Sequence, residues 1–160
     1  MTTSVPQAQV FSYALPDVTR PKGIIRLASS EHIRAMVQVV APSGGETNLH
    51  SHGAMDSVYF VLKGRVRFYS DETTVLAELG PQEGLLMPHD CKYWFENAGE
   101  EPLELLQMVG FVPNVDRSSR RNYTPETNAT VGTEYFDAGA PGVMPKKDAS
   151  FSYKDSAKSF

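Results

Sequence analysis

Between residues 24 and 112 this chain is a succession of short apolar runs divided by turn residues, and that rhythm limits its fold more than any other feature. The runs are Ile24–Leu27, Ile33–Val40, Thr47–His52, Val58–Leu62, Val66–Tyr69, Val75–Leu79, Leu85–Met87, Tyr93–Phe95 and Leu103–Val112. Turn signals stand between them at Pro42-Ser43-Gly44-Gly45, Lys63-Gly64, Ser70-Asp71-Glu72, Gly80-Pro81 and Asn97-Ala98-Gly99. Short strands at such spacing predict an antiparallel sandwich or a closed barrel. No stretch carries an apolar period of about 3.6 residues, so helix is expected to be scarce.

The flanks differ from this middle. In residues 1–24, Pro6, Pro16 and Pro21 break any long element, although Val10-Phe11 and Tyr13-Ala14-Leu15 have the character of an edge strand, on this subunit or on a partner. After Pro113 the chain turns polar, with Arg117, Arg120 and Arg121 close together. Thr133–Phe136 is a candidate for one more strand, or for packing onto the barrel. The closing PKKDASFSYKDSAKSF reads as a mobile tail, or one ordered only against a partner. The domain reading is an N-terminal arm (1–24), a barrel (25–112) and a polar C-terminal extension (113–160).

With 160 residues, 41% of them hydrophobic and 10% aromatic, the chain is long enough for one domain with a core of its own. A net charge of −4 and a pI near 5.5 argue against nucleic acid or anionic membrane as the main partner. The lone Cys91 has no intrachain partner and fits a reducing compartment. The N-terminus lacks a basic, apolar leader, and no segment approaches the roughly 18 apolar residues of a membrane span. A cytoplasmic protein acting on a small molecule is the expectation.

The chemistry concentrates in Gly44 to Gly64, GGETNLHSHGAMDSVYFVLKG. His50 and His52 are two residues apart, so in an extended strand both imidazoles project from one face and can share an ion or a substrate. Strand parity extends the reading. If Ser57 faces inward, so do Tyr59 and Val61, while Val58, Phe60 and Leu62 face the second layer. Arg34, Met36, Gln38 and Val40 share a face, which makes Gln38 a candidate polar group inside the barrel, with Gln107 another. Gln107 reads equally well as a solvent-facing residue.

This stretch resembles the first motif of the cupin family, G-x5-H-x-H-x4-E-x6-G, with Gly44, His50, His52 and Gly64 on its positions. The second motif, G-x5-P-x-G-x2-H-x3-N, is matched by Pro88 and Asn97. The resemblance covers roughly residues 34–110. It implies an all-β, single-domain jelly-roll barrel, and a homodimer in which residues 1–24 suit the exchange of N-terminal strands. It also implies a divalent transition metal (Fe, Zn, Mn, Ni or Cu) as the cofactor, and no organic cofactor is expected.

The departures fall on the ligands. Where the family has its glutamate this chain has Ser57, with Asp56 one residue earlier, and where it has its second-motif histidine this chain has Tyr93. The motif glycines are replaced by Gln82 and Asp90. The metal candidates are therefore His50, His52 and, if a bulge re-aims it, Asp56. Tyr93 is read as a hydrogen-bond donor or general acid beside catalytic His50 and His52, and Gln38, Ser57, Tyr59 and Gln107 as substrate-binding residues. His89 reads as a surface turn residue, Trp94 as core or interface, and Cys91 as inert. Arg117, Arg120 and Arg121 read first as a solvated charge run, with an anion clamp as the alternative. Two functions follow. One is a small-molecule enzyme of the isomerase, cyclase, dehydratase or oxygenase class, and the other is a metal-free binding or accessory module.

Overall fold

The computed structural model describes residues 5–42, 44–125 and 132–149. Twelve strands follow one another: β1 (Lys22–Ser29), β2 (Ile33–Val40), β3 (Gly45–His52), β4 (Met55–Lys63), β5 (Val66–Tyr69), β6 (Val75–Leu79), β7 (Gly84–Met87), β8 (Tyr93–Asn97), β9 (Leu103–Phe111), β10 (Arg120–Asn122), β11 (Thr133–Asp137) and β12 (Lys146–Lys147). They form a seven-stranded sheet, β12-β11-β1-β2-β9-β4-β7, and a five-stranded sheet, β10-β3-β8-β5-β6. The fold is an all-β jelly roll, and the described residues contain no helix.

Alternation explains how the sheets meet. On β4 the residues Ser57, Tyr59 and Val61 are buried, and on β9 so are Leu103, Leu105, Gln107 and Val109. Pairing aligns them in rows: Gln38–Leu105–Val61, then Met36–Gln107–Tyr59, then Arg34–Val109–Ser57. Successive rows climb from a floor near Leu103 to a mouth near Phe111. The floor is apolar, where Val40, Val61, Val66, Phe68, Phe95, Leu103 and Leu105 pack into one cluster. Each of these is fully buried, so the lower part of the barrel is core and not cavity.

Three expectations need correction. Val58, Phe60 and Leu62 do not face the second layer; they are 42%, 37% and 39% exposed on the outward face of β4, because the five-stranded sheet packs on the other side. Residues 5–21 form no edge strand on their own subunit. Their prolines withhold N–H donors, and the segment instead lays Tyr13 and Val18 on an outward apolar cluster of Ile25, Val37, Val39 and Phe136. Ser12 N–H donates to the Gly139 carbonyl (3.0 Å), and the Tyr13 hydroxyl donates to Glu104, which fastens the arm to its own chain. The strand next to it begins at Lys22, ahead of the expected boundary.

The polar C-terminal extension is woven into both sheets. β10 pairs with β3 at the edge of the smaller sheet, and β11 runs parallel to β1 in the larger one. Thr133–Phe136 is thus strand, as the pattern allowed. Residues 150–160 of the expected tail lie outside the described residues.

Turn chemistry shows a trace of the family's glycines. Gly64 has φ +90°, and a Cβ there would meet the Pro102 carbonyl oxygen at 3.0 Å. Gln82 and Asp90 stand where the second motif has glycine, and both keep the left-handed backbone, with φ of 69° and 65°.

Candidate active site at the barrel mouth

The inward face of β3 carries Asn48, His50 and His52. Asn48 and His50 are fully buried, while His52 is half-buried at the mouth. The two imidazoles meet edge to face, with centroids 5.0 Å apart and planes at 84°. His50 Nδ1 lies 2.8 Å from the Asn48 carbonyl oxygen. A carbonyl only accepts, so neutral His50 carries its proton on Nδ1 and its lone pair on Nε2. Tyr93 is the β8 partner of His50, with rings 4.4 Å apart. Its hydroxyl is 2.7 Å from that of Tyr59, a contact that joins the two sheets. One hydroxyl donates to the other, so only the accepting one keeps its proton for another acceptor.

The opposite wall is a chain of amides. Gln38 Nε2 donates to Gln107 Oε1 at 2.7 Å, and Gln107 Nε2 donates to Ser57 Oγ at 3.2 Å. All three residues are buried, so Gln107 does not face solvent. Gln38 Oε1 is buried without a hydrogen-bond partner among the described residues. Reversing both amides would leave Gln38 Nε2 in that position, so one polar end of the chain stays unmet either way. Gln38, Ser57, Tyr59 and Gln107 therefore share one wall, and His50, His52 and Tyr93 share the other.

Asp56 joins neither. It points outward, as its parity requires, and its Oδ1 accepts from the His89 backbone N–H (2.7 Å) and lies 2.8 Å from His89 Nδ1. Those bonds hold the Asp56 carboxyl below its usual range, the backbone N–H first, and the carboxylate in turn raises His89. No group of three or more His, Cys, Asp or Glu able to hold a metal occurs among the described residues. The donor set keeps the two first-motif imidazoles, one of them in a ligand-like tautomer. It puts a serine hydroxyl and a tyrosine committed to Tyr59 where the remaining ligands would stand. These residues do not fit the family's usual four-ligand centre.

Sequence reasoning named Arg117, Arg120 and Arg121 but missed where the extension places them. Arg120 is the β10 partner of His52. Its Nη2 donates to Asn48 Oδ1 and its Nε to Asn122 Oδ1, both at 3.0 Å, and Asn48 Nδ2 donates to Asn122 Oδ1 at 2.8 Å. Arg120 is therefore part of the site's wall, whereas Arg121 pairs with Ser51 and is exposed. Arg34 and Arg117 both sit over the Phe111 ring, at 4.9 and 3.7 Å from its centre. Burial, and then the Arg117 charge, push Arg34 down to about 10. Parity alone would have found Arg34, since it shares the inward face with Gln38. Nothing in the sequence announces that β10 returns to β3.

The remaining candidates lie elsewhere. Trp94 stacks on Tyr69 with centroids 3.8 Å apart and donates to the Asp71 carbonyl, and Cys91 is exposed. An apolar groove of about 400 Å³ opens on the outward face between Phe11, Leu27, Ile33, Leu106 and Met108, away from the histidines. Among the described residues no helix is long and apolar enough to cross a membrane.

Residues 36–109 match the family model described as "Cupin domain". The chain is 26% identical over 96 residues to the uncharacterized protein MJ1618 of Methanocaldococcus jannaschii, spanning 57% of this chain and 75% of that protein. Among solved structures it is similar to an uncharacterized conserved protein with a double-stranded beta-helix domain from Klebsiella pneumoniae. There the TM-score is 0.56 and the identity 15%, over 74% of this chain and all of that one. It is similar also to KdgF from Halomonas sp., with TM-score 0.55 and identity 14%, over 68% of this chain and 98% of that one. At such identities the structural likeness is one of fold. The two-sheet barrel around His50 and His52 has the cupin jelly-roll fold, and residues 36–109 within it match the cupin domain model.

Proposed function

We propose that this protein is a small-molecule enzyme that moves protons at the mouth of its barrel, on a substrate with a carbonyl or enolisable carbon. The observation that carries the reading is the imidazole pair: a buried His50 held as its Nδ1–H tautomer, in edge contact with a half-buried His52. His52 is the one of the two that a substrate reaches, and it accepts a proton from the carbon beside the carbonyl. His50 behind it is a positioning residue. Ser57 and the amide chain beneath it hydrogen-bond the substrate oxygen, where charge develops as the proton leaves. Return of the proton at another atom gives an isomerisation, and its delivery to a departing hydroxyl, which leaves as water, gives a dehydration. The second reading, a binding module without chemistry, draws support from the Tyr59–Tyr93 contact, which leaves one of the two hydroxyls without a proton to give whenever it is the donor.

The test is proton–deuterium exchange. Untagged protein is incubated in D2O with a set of small ketones, aldehydes and oxo-acids, and loss of carbon-bound protons is followed by NMR. Protein-dependent exchange is expected for at least one compound and should vanish in His52→Gln. His50→Gln should retain exchange with a displaced pH midpoint, which a purely structural role would not produce. Exchange unaffected by His52→Gln, or absent throughout while the compounds still bind, sinks the enzyme reading in favour of the module. Elemental analysis of the same preparation, with exchange repeated after chelation, reports independently on a metal held by the histidine pair.

A further inference from the structure

We propose that the outward face of β2, β9, β4 and β7 seats a second copy of this chain, with Leu86 of each copy filling the apolar groove of the other. The inference is independent of the chemistry at the mouth.

The outward residues of the larger sheet run in rows, as the inward ones do. Ala28 pairs with Ala35, Ala35 with Met108, Met108 with Val58, and Val58 with Leu86. The next row is Val37, Leu106, Phe60 and Gly84. The first row therefore begins on two alanines and ends on a leucine, while the second ends on a glycine. The groove of about 400 Å³ lies at the alanine end, with Ala35, 6% exposed, at its bottom and Phe11, Ile33, Leu106 and Met108 at its sides. Leu86 stands at the far end of the same row and is 62% exposed. One row thus carries both a hole and a knob.

A two-fold axis brings them together. Placed parallel to the strands and between β9 and β4, it keeps every row at its own level and reverses its order. β2 and β7 are three strand spacings apart, roughly 14 Å, and stand equally far from that axis. Leu86 of one copy therefore comes down over Ala35 of the other. The second row fits under the same operation. The arm raises the surface around Val37, where Tyr13 and Val18 pack, and Gly84, which has no side chain, comes to face it. The strands of the two copies then run aligned, one of the two ways in which sheets pack face to face.

The area agrees. Ile33, Val58, Phe60, Leu62, Leu86 and Met108 are each at least 37% exposed. Together they leave on the order of 500 Å² of apolar surface, in the upper part of what the largest patch on a monomer reaches. A stable homodimer buries about 800 Å² per partner, about two-thirds of it apolar, which is the same quantity. Carboxylates on this face stand at its margins, where Asp56 holds His89 and Glu104 accepts from Tyr13, so the centre joins without burying a charge. Residues 5–21 stay on their own subunit in this arrangement. The copies pair by faces and not by exchanged strands.

The experiment is sedimentation velocity on the untagged full chain at micromolar concentrations, where a dimer is expected. Leu86→Glu, on an exposed edge strand, should raise its dissociation constant about tenfold or more, because the carboxylate would enter an apolar groove. Val75→Glu, equally open to solvent on β6 of the other sheet, should leave it unchanged. Cross-linking tests the geometry separately. With Cys91→Ser as background, Ile33→Cys protein mixed with Leu86→Cys protein should be joined by a short bis-maleimide. Either protein alone should not be, since copies of one position lie roughly 14 Å apart along the sheet. A monomer throughout overturns the proposal. So does a dimer that is indifferent to Leu86→Glu, or one without the mixed cross-link, either of which places the contact elsewhere, exchange of residues 5–21 included.

Discussion

The two ends of the barrel are built from the same strands and do opposite work. At the floor, β2, β9 and β4 contribute Val40, Leu103, Leu105 and Val61, all fully buried against Phe68 and Phe95 of the other sheet. At the mouth the same strands contribute Arg34, Ser57 and Phe111, opposite His52 and Arg120. Two steps of two residues along a strand, about 13 Å, are enough to pass from one regime to the other. Stability is concentrated where nothing reactive is present, so the mouth is free to hold charges that a core would reject. The row of Met36, Gln107 and Tyr59 lies between them and belongs to both.

Mutations can break this division in order of effect. Phe95→Ala should cost about 3–5 kcal/mol in denaturant unfolding, because the floor has no solvent-facing side toward which to collapse. A loss under about 1 kcal/mol would mean that the floor is not the stabilising end. Gln107→Leu should cost about 1–3 kcal/mol, since it strands Gln38 Nε2 and Ser57 Oγ together in a buried layer. Because the same change removes the support beneath Ser57, exchange should fall with stability, unlike for Phe95→Ala measured well below its melting point.

The smallest effect has the opposite sign. Gln82→Gly should stabilise by about 0.5–1 kcal/mol, the relief of a left-handed residue less the entropy of glycine. Gln82 lies by the floor, where its N–H donates to the Val61 carbonyl, so exchange should be untouched. Asp90→Gly should gain less, as aspartate tolerates that conformation better. The Asp90 backbone N–H donates to the His52 carbonyl at the mouth, and the added backbone freedom of glycine loosens that anchor, so this change should alter exchange instead. Equal behaviour of the two variants would remove the distinction between the ends.

Much of this was legible beforehand because strands obey a local rule. A period of two sorted Ser57, Tyr59 and Gln38 onto the inward face, leaving Gln107 open, and the H-x-H spacing put His50 and His52 together, without any knowledge of what lies opposite. The same rule turns Asp56 outward, where it binds His89, and the bulge expected to re-aim it as a ligand does not do so. It could not tell which outward faces would be covered. Tyr13 and Val18 shelter Val37 and Val39, while Val58 and Phe60 stay open.

What only the tertiary structure decided are pairings between distant segments. The Gln38–Gln107–Ser57 chain, the Tyr59–Tyr93 contact and the Phe111 platform each join residues from separate strands or loops. The pairing of Arg120 with His52 crosses 68 positions of chain. By itself the sequence determined the barrel and the direction its histidines face, because those depend on spacing within a strand. Which charges meet those histidines depends on how a polar, unpatterned extension closes onto the sheet edge, and the packing of the whole barrel determines that closure.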